Sequence, residues 1–140
     1  MHKRTLLLAA AAFCSASLVG CGLPQPLKMP GEQLVASNVS EKTIREAILK
    51  AAALRSWRIV QEAPGSVVLA YPDNQRATRY EATFEVLYSA KSYRIRYLSS
   101  YGLDEKPNCE GTTPCLHRNV NKWVANLNMD IQRYISGLYR

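Results

Sequence analysis

No apolar run in this 140-residue sequence is long enough to cross a bilayer. A spanning helix needs about 20 apolar residues, and the longest candidate, Leu6 to Phe13, stops at a cysteine. Internal repeats and low-complexity tracts are also missing, so a repeat array is excluded. Reaction chemistry is sparse. Ser99 or Ser100 with His117 and Asp104 make a triad in composition only, because no strained nucleophile turn surrounds either serine. A zinc site would need more ligands than Cys109, Cys115 and His117 can supply. The five residues between the two cysteines do not resemble the two-residue spacing that tunes a redox thiol. The sequence therefore assigns no catalytic residue, no metal site and no cofactor, and it points away from an enzyme.

The N-terminus carries the strongest signal. His2, Lys3 and Arg4 precede the apolar stretch, and the small residues Ala16, Ser17 and Gly20 follow it, in the order of a secretory signal. Leu18-Val19-Gly20-Cys21 resembles the lipobox at which bacteria acylate a cysteine. That resemblance implies a Cys21 thiol carrying diacylglycerol and, after cleavage, a third acyl chain on its freed amine. One chain binds membranes reversibly and several anchor stably, so the membrane is the first expected partner. Gly22, in place of an aspartate, favours the outer membrane, with the domain facing the periplasm or, alternatively, the cell surface.

Removing residues 1–20 takes Lys3 and Arg4 with it, so 18 basic residues become 16 against 11 acidic, and a net charge of +7 becomes +5. A basic exported surface is suited to phospholipid headgroups, lipopolysaccharide phosphates or an acidic envelope protein rather than to nucleic acid. Keeping a small domain soluble is the plainer use of the same charge. Cys14 leaves with the signal and Cys21 is acylated, so Cys109 and Cys115 are expected to pair as a disulfide in an oxidising compartment.

Residues 21–37 contain Pro24, Pro26 and Pro30 and read as a semi-extended tether. Residues 38–140 then form one α+β domain. A helix is expected from Ser40 to Arg55, capped by Asn38 or Ser40, with Ile44, Ala47, Ile48, Ala51 and Leu54 on its core side. Strand-like runs follow at 57–62, 66–71, 77–88 and 92–101, joined by short turns. A second amphipathic helix is expected over 117–138. The expected fold is a four-stranded antiparallel meander with both helices on one face, in the order α-β-β-β-β-α.

Pairing Tyr88 with Tyr93 sets Val86 opposite Ile95, Glu85 opposite Arg96 and Phe84 opposite Tyr97. One face then carries Tyr80, Ala82, Phe84, Val86, Tyr93, Ile95 and Tyr97. The other carries Arg79, Glu81, Thr83, Glu85, Arg94 and Arg96. A solvated face with modest ion pairs is the ordinary explanation of the charged side. The functional one makes Arg58, Arg79, Arg94 and Arg96 a docking surface for an acidic partner.

Trp57-Arg58-Ile59-Val60, Pro64-Gly65, Tyr93-Arg94-Ile95-Arg96-Tyr97 with Ser99 and Ser100, and above all Leu116-His117-Arg118-Asn119-Val120-Asn121-Lys122-Trp123-Val124 carry a further resemblance. Across most of the mature domain the chain resembles a family of small uncharacterised lipoproteins of Gram-negative bacteria. It departs from the pattern at Val120, where an aromatic is commoner, at Ser56, where glycine is commoner, and in the cysteine-closed loop. The resemblance implies a fold and an address, with no mechanism attached.

Ser99, Ser100, His117 and Asn121 would form a small polar pocket if the start of the last helix meets the end of the fourth strand. The alternative is that His117 and Asn121 satisfy free backbone groups there. The eight tyrosines could stack sugars or simply fill the core and rim. Two functions follow from these readings. One is an adaptor that docks another envelope protein, and the other is a module binding a small ligand, glycan or lipopolysaccharide.

Overall fold

The computed structural model describes residues 23–139. The signal segment and Cys21 lie outside them. The α+β class and the antiparallel pairing hold, but there are two sheets in place of one four-stranded meander. In chain order the elements are β1 (Gln25–Pro26), β2 (Gln33–Leu34), α1 (Glu41–Leu54), β3 (Arg58–Ala63) and β4 (Ser66–Tyr71). They continue with a 3₁₀ turn (Gln75–Thr78), β5 (Glu81–Tyr88), β6 (Ser92–Tyr101), β7 (Lys106–Glu110), β8 (Thr113–Leu116) and α2 (Asn119–Ile135). Strands β3 to β6 form the expected meander and gain β2 as a fifth strand, in the order β2-β6-β5-β4-β3. A second sheet, β1-β8-β7, is built from the cysteine hairpin and the start of the described chain.

Both additions draw on proline-containing segments that the sequence assigns to loops. Proline cannot donate to a ladder, yet it is tolerated on an edge and in short strands. Pro26 sits opposite Cys115 on such an edge, and Pro107 and Pro114 lie in the hairpin. The described part of the expected tether is consequently a strap laid on the domain. Leu27 is buried and donates its N–H to the Pro114 carbonyl, and Met29 and Val35 pack against the core.

Helix α1 begins where Ser40 Oγ accepts the Thr43 N–H at 3.1 Å. Its end explains a departure noted in the sequence. Ser56 N–H donates to the Ala53 carbonyl and Trp57 N–H to the Ala52 carbonyl, the two bonds of a helix stop that requires a left-handed residue at Ser56, where φ is +59°. Glycine takes that conformation without a Cβ penalty. Ser56→Gly is accordingly expected to stabilise the protein by about 1 kcal/mol, read as a higher urea midpoint; a lower midpoint would contradict the strain.

The hairpin register is the expected one, with Tyr88↔Tyr93, Val86↔Ile95, Glu85↔Arg96 and Phe84↔Tyr97. Beyond it Thr83 meets Ser99, so Leu98 is an extra residue that bulges out of β6. The inner face, with Val67, Leu69, Ala82, Phe84, Val86 and Ile95, packs against Ile44, Ile48 and Ala51 of α1 and Val120, Val124, Leu127 and Ile131 of α2. Strand β5 begins at Glu81 rather than Ala77, because Asn74 Oδ1 accepts the Arg76 N–H and closes the 3₁₀ turn first. Gly102 (φ +67°) ends β6, where an added Cβ would lie 2.0 Å from the Arg79 carbonyl oxygen. Cys109 and Cys115 form the expected disulfide, their Cα atoms 5.8 Å apart.

Candidate interaction surface

On the outer face of the large sheet, cross-strand register decides which arginines can act. Arg96 Nη2 lies 2.5 Å from Glu85 Oε1, and Ser66 Oγ donates to Glu85 Oε2 at 2.8 Å. Arg58 Nη2 lies 2.8 Å from Glu81 Oε2. The two carboxylates are only 13% and 15% exposed, because the arginine side chains lie over them. Arg58 and Arg96 are thus committed within the sheet. Arg79 is not on the face at all. It follows the 3₁₀ turn before β5 begins and lines a shallow hollow with Gln75, Arg76 and Thr78. The expected four-arginine surface is therefore not assembled.

Arg94 differs from Arg58 and Arg96. It is exposed on β6 opposite Leu87, and among the described residues no carboxylate lies within 4.0 Å of its guanidinium. Beside it opens a slot of about 430 Å³ between β6 (Arg94, Ile95, Arg96, Tyr97) and the strap (Met29 to Glu32). Ladder geometry explains the slot. Antiparallel pairs alternate between hydrogen-bonded and non-bonded, and Ser89 N–H donates to the Ser92 carbonyl at the turn. Leu87–Arg94 and Glu85–Arg96 are then the bonded pairs with β5. The backbone groups of Tyr93, Ile95 and Tyr97 face the opposite edge. Tyr93 meets Gln33 of β2 there, but β2 is two residues long. Pro30, with no N–H, falls where the strap leaves β6, and among the described residues no strand pairs with Ile95 or Tyr97 on that side.

Tyr97 closes one end of the slot. Its hydroxyl donates to Glu105 Oε1 at 2.6 Å and meets Ser100 Oγ at 2.9 Å. Burial pushes the phenol up to about 12, and the Glu105 carboxylate reinforces the shift. The deeper Tyr93 phenol is raised further by burial alone, while its hydroxyl donates to Asn128 Oδ1 at 2.7 Å.

The polar pocket does not form either. Ser100 is bonded to Tyr97, and Ser99 is exposed on β6. His117 Nδ1 accepts the Asn119 N–H at 3.2 Å, capping the first turn of α2. Asn121 turns to the strap, donating Nδ2 to the Pro26 carbonyl and accepting the Lys28 N–H at 2.7 Å. Among the described residues no hydrogen bond joins either serine, His117 and Asp104.

Asp130, on α2, is not one of the candidates above, yet it is fully buried and lies 2.5 Å from Arg55 Nε, with Oδ1 left unpartnered. The carboxylate holds the Arg55 guanidinium above its ordinary range. The signal was present: Trp123, Leu127, Asp130 and Tyr134 recur at helical spacing, so an acid occupies a core position. Leu54, Arg55, Tyr134, Leu138 and Tyr139 line a cleft of about 610 Å³ beside this pair. Among the described residues no group of three His, Cys, Asp or Glu side chains could hold a metal, and no helix is long and apolar enough to cross a membrane. In comparisons with known proteins, no family model, no curated protein and no solved structure matches this chain.

Proposed function

We propose that this protein is an acyl-anchored lipoprotein of the bacterial outer membrane that catalyses no reaction and acts as an adaptor in the periplasm. The reading of its address rests on the lipobox and on the likeness to small Gram-negative lipoproteins. The adaptor reading rests on one observation: Arg94, with no carboxylate within 4.0 Å among the described residues, stands beside an open slot on a strand edge with unpaired backbone. Such an edge accepts an extended segment by strand addition, with main-chain bonds supplying affinity and side chains supplying choice. The segment carries a carboxylate to meet Arg94.

Arg94→Glu is expected to cut capture of the partner from cross-linked envelopes by about tenfold or more, because like charges set against each other across an interface cost several kcal/mol. Arg58→Gln should leave capture unchanged, since that guanidinium is already bound to Glu81. Equal capture by wild type and Arg94→Glu would remove Arg94 from the recognition.

A further inference from the structure

We infer that the end of the domain formed by the start of the strap, the β7–β8 hairpin and the first turn of α2 rests directly on an anionic phospholipid leaflet, holding the domain flush in one orientation. The inference depends on the acyl-anchor reading of Cys21. Its physical basis is the missing stalk. The strap is fixed from Gln25 onward, where Gln25 pairs with Leu116 and Pro26 with Cys115. Asn121 clamps Pro26 and Lys28, Leu27 is buried, and Gln132 Nε2 donates to Gln33 Oε1 at 2.5 Å. Cys21 precedes Gln25, the first residue held in a strand, by four residues, and four residues of chain span at most about 14 Å. A domain tied that closely to acyl chains has no room to stand away from the headgroups.

The clamps also fix which end is down. Asn121 holds the start of the strap and Gln132 its far end, so the strap runs alongside α2. The 17 residues of α2 are about 25 Å long, which separates the anchored end from Leu138 and the helix-end cleft. The β5–β6 turn is remote as well, since Val35 N–H at the far end of the strap donates to the Lys91 carbonyl. Lys28, Lys106, Arg118 and Lys122 are exposed around the anchored end against Asp104, Glu105 and Glu110, a balance of one positive charge. Basic side chains near an anionic leaflet are attracted to it.

The test uses acylated protein in vesicles of phosphatidylethanolamine and phosphatidylglycerol containing spin-labelled lipid. A fluorophore is placed at Lys106→Cys or Arg118→Cys near the anchor, or at Ala90→Cys or Leu138→Cys away from it. Quenching should be several-fold stronger at the two near sites. Inserting twelve Gly/Ser residues between Gly22 and Leu23, with a reach of about 20 Å, should abolish the contrast. Hydrogen exchange on unlabelled acylated protein, vesicle against detergent, gives the same reading without substitutions, with protection expected over residues 104–118. Equal quenching and equal exchange in protein whose intact mass includes the acyl chains overturn the orientation and leave the anchor standing. An unacylated mass overturns both.

Discussion

Replacing Arg55 by alanine is expected to destabilise the domain by about 3 kcal/mol or more, because it strands the fully buried Asp130 carboxylate without its counter-charge. Arg55 is 40% exposed and Asp130 is not exposed at all, so the two partners are not equivalent. Solvent can accommodate a guanidinium without its acid far better than a sealed interior can accommodate an acid without its guanidinium. Asp130 Oδ1 already lacks a hydrogen-bond partner, so the lost bond from Arg55 Nε has no substitute in place. Asp130→Asn, which removes the charge as well as the pair, should cost less than Arg55→Ala. The double replacement Arg55→Met with Asp130→Leu should recover most of the loss, as buried pairs exchanged for apolar side chains of similar volume often do. Urea unfolding midpoints measure all three. If Arg55→Ala moves the midpoint no further than an ordinary surface substitution, the carboxylate is hydrated and the burial argument fails.

How far this fold can be read in the sequence depends on whether a segment's signal is local. The β5–β6 register was legible because alternation on both strands and a short turn allow one pairing that keeps Phe84, Val86 and Ile95 on the same side. Helix α1 was legible from its apolar spacing and its serine cap, except that Leu54, expected on the core side, is 50% exposed in the last turn where Ala52 is buried instead, and the disulfide was legible from the cysteine count. The strap was not, since Pro24, Pro26 and Pro30 speak against regular structure, while the burial of Leu27 and the clamps from Asn121 and Gln132 come from residues about a hundred positions away. The β7–β8 hairpin was hidden for the same reason, each strand containing a proline. Bulging of Leu98 inserts a residue that no alternation rule anticipates. Of the candidate site, Arg94 was legible as a charge but not as the arginine of the outer face left without an ion pair, because which glutamate an arginine reaches depends on cross-strand register. The slot beside it exists only because β2 stops after two residues.

Phe84→Ala should cost about 3–5 kcal/mol, the usual penalty for emptying an aromatic site in a core, and its consequences should reach the slot. Phe84 is fully buried in the central strand, edge-on to Trp57 at 5.9 Å and to Tyr97 at 5.6 Å. Domains of this size are stable by about 5–15 kcal/mol, so the variant should unfold at markedly lower urea concentration and near physiological temperature. Phe84→Leu refills much of the volume and should cost clearly less. Thr83→Ala, one residue away on the outer face, should change stability by less than about 0.5 kcal/mol. The pair of Phe84 variants separates packing from docking. Tyr97 belongs both to the core, through Phe84, and to the slot, through its place opposite the strap. A smaller side chain at position 84 lets that ring settle inward and draws the slot's end with it, while Arg94, two residues further along the edge than Arg96, keeps its exposure. Phe84→Leu should therefore weaken partner capture modestly in a protein that remains folded, whereas Arg94→Glu should cut it about tenfold or more with no loss of stability. The opposite ranking, full capture by Arg94→Glu and none by folded Phe84→Leu, would shift the recognition from the charged edge to the aromatic floor beneath it.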